Sequence, residues 1–130
     1  MSEDRRDPLI RQAVESFNDA NVEGVLGFIH PEVRSKVSEG LGNPGSYEGV
    51  EGFWKMMADW SEAWSEQTIT LREIEHVDER TSIVQVDQAL VGAGSGVPVG
   101  METTFLIVFE GDQAIRFELH DTRESAMESL

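Results

Sequence analysis

"GSYEGVEGFWKMMADWSEAW", residues 45–64, holds all three tryptophans of the chain within eleven positions, and its reading sets the rest. On a wheel of about 100° per residue, Val50, Phe53, Met57, Trp60 and Trp64 fall within an arc of ~80°. Glu51, Lys55, Asp59 and Glu62 lie opposite, with Trp54 just outside the arc beside Ser61. One face is made for burial and the other for water, which predicts a helix over residues 50–64. Stripes of this kind fill cores, and Met57 and Trp64 are expected there. Trp54 and Trp60 are expected at the edge of a cavity, because an indole N–H wants an acceptor and suits a boundary that is apolar on one side only.

Before this helix, "RDPLIRQAVESFNDAN" predicts another, with Asp7 as N-cap, Pro8 at the first helical position, and Leu9, Ala13, Val14 and Phe17 on one side. A shorter helix follows in "VEGVLGFIHPEV", with Val22, Val25, Leu26 and Ile29 at helical spacing and Pro31 ending it. "EVRSKVSE" alternates, placing Val33, Ser35 and Val37 on one face of a half-exposed strand and Arg34, Lys36 and Ser38 on the other. "GLGNPGSYEG" reads as a turn-rich loop. After the tryptophan helix the texture changes. "QTITLREIEHV", "TSIVQVDQALV", "VPVGMETTFLIVF" and "QAIRFELH" are rich in β-branched and aromatic residues and separated by turn signals, which predicts four long strands joined as hairpins. "DTRESAMESL" predicts a short last helix capped by Asp121 or Thr122. Helices first and an antiparallel sheet after them define the α+β class.

The chain has 130 residues and no cysteine, a length that suits one domain over 1–130 with a core large enough to need no disulfide or metal. The absence of cysteine excludes thiolate catalysis, and with no apolar run of signal-peptide or membrane-spanning length in view it points to a cytoplasmic protein. Twenty-five acidic against ten basic side chains give a net charge of −15. That charge repels phosphate backbones and anionic membranes, so neither nucleic acid nor a membrane is expected as a partner.

The chain resembles the SnoaL-like branch of the nuclear transport factor 2-like superfamily, which includes polyketide cyclases and ketosteroid isomerases. The resemblance rests on "ESFNDANVEGVLGFIHPEV", "YEGVEGFWKMMADWSEAW", "GAGSGVPV" and "GDQAIRFELHDTRESA", taken in order and spacing over nearly the whole length. It implies a cone-shaped roll: three N-terminal helices packed on a curved, mostly antiparallel sheet, enclosing a pocket, with a short C-terminal helix. It also implies a homodimer formed through the outer face of the sheet. "TTFLIVF" agrees, since Phe105 and Ile107 alternate with Leu106 and Val108, and a strand apolar on both faces needs cover on both. Helices are expected on one face and a partner chain on the other.

The chemistry is narrowed by spacing. His30, His76 and His120 form no helix-borne pair, so no metal is expected, and "GAGSG" fits neither a dinucleotide nor a P-loop pattern, so no cofactor is implied. No serine sits in a G-x-S-x-G elbow. The positions matching the acid–base and oxyanion groups of ketosteroid isomerases fall at or near Val37, Ala13 and Phe105, none of which can do that work; Ser38 and Glu39 are the polar neighbours. What remains is the cyclase pattern of one carboxylate as acid and base, with two candidates. Asp87, within "SIVQVDQALV", faces either the cavity or the wet side of the sheet; Asp121, at the end of the last strand, is either a pocket carboxylate or a helix cap. Phe17, Trp54, Met57 and Trp60 are expected to touch a ligand from the helices, and Thr103, Phe105, Phe117 and Leu119 from the strands. Tyr47, Gln85 and His120 are expected to orient it by hydrogen bonds. The ligand is expected to be small and apolar, with ring-containing molecules among the candidates. Two functions stay open: an isomerase or cyclase working through one carboxylate, and a ligand-binding or dimerisation module without catalysis.

Overall fold

Helix α1 spans Arg6–Asn18 in a computed structural model that describes residues 4–41 and 44–130. Positions 1–3 of the N-terminal segment and positions 42 and 43 of the predicted turn-rich loop lie outside the described residues. The start of α1 differs from expectation. Arg5 stands at the cap position with no side-chain bond to the helix, and Asp4 accepts the Arg6 backbone N–H at 3.0 Å. Asp7 is not the cap because its carboxylate meets His76 Nε2 at 2.7 Å. At the far end Asn18 bonds Ile69 in both directions, its amide donating to the carbonyl and accepting from the N–H, each at 2.8 Å. The side chain thus behaves as one more strand residue and pins α1 to the sheet.

Helix α2, Val22–Phe28, is capped by Asn21, whose side chain accepts from Gly24 N–H at 3.1 Å. Its buried residues are Val25 and Phe28, while Val22 and Leu26, expected inside, are exposed. The chain passes directly into β1, Ile29–Val37, where Val33, Ser35 and Val37 are buried as the alternation predicts. Residues Gly45–Glu48, read as loop, form a four-residue strand β2 that borrows its ladder from β1 through Ser35↔Tyr47 and Val37↔Gly45. Gly49 then turns the chain into α3, Gly49–Ser61, at φ 71°, a left-handed conformation open to glycine without strain.

Trp64 is not on α3. It opens strand β3, Trp64–His76, and pairs with Gly92 of β4, Thr81–Gly92. The helix wheel could not register this ladder, which claims the backbone from residue 64 onward. Strands β5, Pro98–Glu110, and β6, Gln113–His120, complete the run of hairpins. The sheet order is β2-β1-β6-β5-β4-β3, with β1 parallel to β6 and every other pair antiparallel. Register shifts in β1, β3 and at Val108/Phe109 bend the strands. The result is the predicted α+β arrangement, a curved and unclosed six-stranded sheet with α1, α2 and α3 packed on its inner face.

Part of the outer face is covered by the chain itself. Ile83 and Leu106 are fully buried there by Ala126 of the last helix, α4, Arg123–Glu128, with Val77 and Met127 alongside. The chain's own α4 therefore covers the second apolar face of β5 at Leu106, where a partner chain was expected. The N-cap of α4 is Thr122, which accepts from Ser125 N–H at 3.1 Å; Asp121 makes no cap bond. Among the described residues no helix is long and apolar enough to cross a membrane.

Candidate functional site: an apolar cavity between helices and sheet

The inner face of the sheet and the three helices leave a cavity lined by sixteen residues. Helix α1 contributes Ile10, Ala13, Val14 and Phe17, and α3 contributes Phe53, Met57 and Trp60. Phe105 and Ile107 come from β5, and Phe117 and Leu119 from β6. None of the sixteen is ionisable. Gln88 is the single lining side chain with a carboxamide, and Trp60 the single one with an indole. The space open to the centre of a water-sized sphere is about 60 Å³.

Several features fix the walls. Phe105 and Phe117 lie 5.2 Å apart between ring centres, and Phe53 meets Phe117 edge-on at 5.9 Å. Gln88 is buried, and its amide donates to Thr103 Oγ1 at 3.1 Å. That bond leaves the amide oxygen as the group without a side-chain donor among the described residues. Trp60 is 8 % exposed, and its indole N–H has no partner among the described residues.

Of the residues expected at a ligand, Phe17, Met57, Trp60, Phe105, Phe117 and Leu119 are brought together on this cavity. Thr103 stands one step behind, as the acceptor for Gln88. The others lie elsewhere. Trp54 packs edge-on against Phe53 at 5.4 Å but does not reach the cavity. Tyr47 donates to Asp59 Oδ2 at 3.0 Å; burial and then this carboxylate raise the phenol's pKa, and the same bond, with Lys55, lowers that of Asp59. Gln85 is on the outer face and donates to Glu73 at 3.4 Å. His120 is buried under α4 between Glu118 and Ser125.

Both candidate carboxylates are outside the cavity. Asp87 shares the face of Gln85, with Arg72 Nη1 at 3.5 Å and its side chain 49 % exposed. A charge on that face keeps its water, so the strand carries no buried-charge penalty there. Asp121 lies against Gly40 in the turn after β1 and accepts a long 3.5 Å bond from Ser38 Oγ. The isomerase positions Ala13 and Phe105 line the cavity and Val37 is core, all three apolar.

The residues missed in the sequence are chiefly Ile10, Phe53, Ile69, Ile107 and Gln88. A signal for Gln88 was present. Along β4, Val84, Val86 and Leu90 alternate with Gln85, Asp87 and Ala89, so the more apolar set, which includes Gln88, marks the inner face.

A sequence profile of the SnoaL-like domain matches residues 10–122. No curated protein matches by sequence. Among solved structures, a nuclear transport factor 2-like protein of unknown function from Burkholderia pseudomallei is 19 % identical, with 98 % of this chain and 97 % of that one covered at a TM-score of 0.81. TerC, crystallised with polyporic acid, is also 19 % identical, with 95 % of each chain covered and a TM-score of 0.80. A protein from Jannaschia sp. CCS1 described as a SnoaL-like polyketide cyclase is 15 % identical over 98 % of this chain and 94 % of that one, at 0.74. At these identities the structures speak for the fold, and the profile, spanning most of the chain, for the family: this protein belongs to the SnoaL-like domain family of nuclear transport factor 2-like folds.

Proposed function

We propose that this protein binds a small apolar molecule in the cavity between α1, α2, α3 and the sheet, and does no acid–base chemistry on it there. The observation that carries the reading is the lining itself: apolar side chains throughout, one carboxamide, one indole, no carboxylate. A single-carboxylate isomerase or cyclase needs its base within hydrogen-bond reach of the substrate. Asp87 and Asp121 do not line this cavity. That TerC was crystallised with polyporic acid supports ligand binding by this fold.

Size narrows the ligand. The open space of about 60 Å³ would hold roughly four to six waters, equivalent to ~120–180 Å³ of liquid, the scale of an engineered apolar cavity that admits benzene. One ring fits without movement of the helices; a fused-ring ligand requires α1 or α3 to shift. Trp60 gives a direct reporter. Titration with benzene, phenol or indole should give saturable changes in tryptophan emission and a rise in melting temperature. Ala13→Leu, which fills the cavity, should abolish them. No saturable response to any of the three would end the proposal.

We also propose a homodimer, formed through the part of the outer sheet that α4 leaves open. Thr68, Thr70, Ala89 and Val91 line a shallow groove there, between the charged pair Asp87 and Arg72 and the exposed Pro98, which pairs with Val91.

A further inference from the structure

On the opposite face of the sheet from the cavity, three side chains stand in line. Ser125 Oγ is 2.7 Å from His120 Nδ1, and His120 Nε2 is 2.7 Å from Glu118 Oε1. Glu118 and His120 come from β6, two residues apart on one face, and Ser125 from α4 laid across them. Glu118 is 4 % exposed and His120 1 %. Burial alone would raise the Glu118 carboxyl, but bonds from His120, Ser129 and Arg116 outweigh it and hold its pKa at about 2. It is therefore a carboxylate at neutral pH.

A carboxylate can only accept, so His120 Nε2 carries the proton and donates. In the neutral ring Nδ1 is then the acceptor, and the Ser125 hydroxyl must point its hydrogen at it. A hydroxyl bonded to a neutral imidazole, whose far nitrogen is held by a buried carboxylate, is the arrangement that activates a serine. The remaining carboxylate positions are filled: Arg116 Nε at 2.6 Å on Oε2, and Ser129 Oγ at 2.7 Å on Oε1. A polar groove opens over the cluster. Lys36, Ser38, Ser46, Glu128 and Ser129 line it together with His120 and the half-buried Ser125. The cavity proposal uses none of these residues.

We infer that Ser125 is a nucleophile that takes acyl groups from small polar esters, with His120 as its general base and Glu118 as the positioning residue. Ser125 Oγ bonds to the ester carbonyl carbon and passes its proton to His120 Nδ1, and the Glu118 carboxylate stabilises the imidazolium. The bond from that carbon to the alcohol oxygen breaks, and the alkoxide leaves with the proton from Nδ1. Water then adds by the same route, releasing the acid and restoring the serine. No electrons are gained or lost.

The same contacts also dock α4, so the test must read reactivity rather than stability. The wild-type protein is treated at neutral pH with a fluorophosphonate probe, and the adduct is located by intact mass and peptide mapping. The expected result is one adduct, on Ser125, forming at least about 10²-fold faster than on the same chain unfolded in urea, the scale of general-base assistance. Ser125→Ala should take up no probe, and Ser65→Ala, an exposed strand serine, should label as the wild type does. Glu118→Gln, which still accepts from Nε2–H but lacks the charge, should label more slowly while its circular dichroism stays that of the wild type. No adduct on the native protein, or labelling of Ser125 no faster than in urea, overturns the inference. The wild-type measurement decides this even if a variant fails to fold.

Discussion

Met56 and Met57 are chain neighbours held for different purposes. Met56 is 1 % exposed inside the core, while Met57 is half-buried on the cavity wall. Met56→Ala should therefore lose about 2–5 kcal/mol in urea denaturation, and Met57→Ala less, with an enlarged cavity as its main effect. The tryptophans divide similarly. Trp60→Ala should cost about 3–5 kcal/mol, and Trp54→Ala, at the half-exposed end of the stripe, clearly less. Gln88→Leu should cost about 1–3 kcal/mol, because it leaves the buried Thr103 hydroxyl without the amide that donates to it, and should erase any preference for phenol over benzene in the cavity titration. The wheel found this face of α3 but ran three residues too far. Nothing in "DWSEAW" breaks a helix, and what ends it is the ladder from Trp64 to Gly92, made by residues nearly thirty positions away. Asp87 was legible only as a pair of alternatives, since one acidic residue in a strand does not state its face. The whole alternation along β4 does.

At the scale of elements, α4 is the clearest case of context making structure. Six residues are too few for a stable helix in water. It is held by the Thr122 cap, by Ala126 against Ile83 and Leu106, and by Ser129 and Ser125 on the polar cluster below. The Glu118 carboxyl, lowered from 4.5 to about 2, links this docking to pH. A depressed carboxylate contributes stability above its unfolded value and loses it as pH falls through the folded one. The wild type should accordingly lose stability between about pH 4.5 and 2. Glu118→Gln should lack that part of the dependence, a difference on the order of 3 kcal/mol across the interval, read by urea denaturation at each pH. Helix α2 pairs with α1 by close approach instead. A Cβ added at Gly24 would collide with the buried Ser16 side chain, so Gly24→Ala should cost about 1–3 kcal/mol by forcing the helices apart. The sequence announced both helices, but not which face of α2 is buried. Val22 and Leu26 satisfy the helical period as well as Val25 and Phe28 do, and the turn at Asn21 decides between them.

For the molecule as a whole, charge sets the terms of association. With −15 on each chain, a homodimer should weigh two chains in sedimentation at moderate salt and loosen when salt is lowered, as repulsion between copies grows. A mass of one chain at every salt concentration and micromolar protein would remove the dimer from consideration. The order of helices and hairpins was readable along the chain because each element carries its own period and turn residues. The cavity was readable only in part, because its lining gathers α1, α3 and both central strands at positions that any core would also fill with Ile or Phe. One further property follows from the place of β1, which lies between β2 and β6 and runs parallel to β6. Its inner neighbour in the sheet is the last strand to leave the ribosome. Until residues 113–120 emerge, β1, β2 and α3 have no sheet to join, and α1 and α2 have half a floor beneath them. Such distant pairing gives slow, late-committing folding, so refolding should be governed by the β1–β6 encounter. A released chain truncated after Gly111 would present an unpaired β5 edge and an open apolar face to the chaperones that meet it.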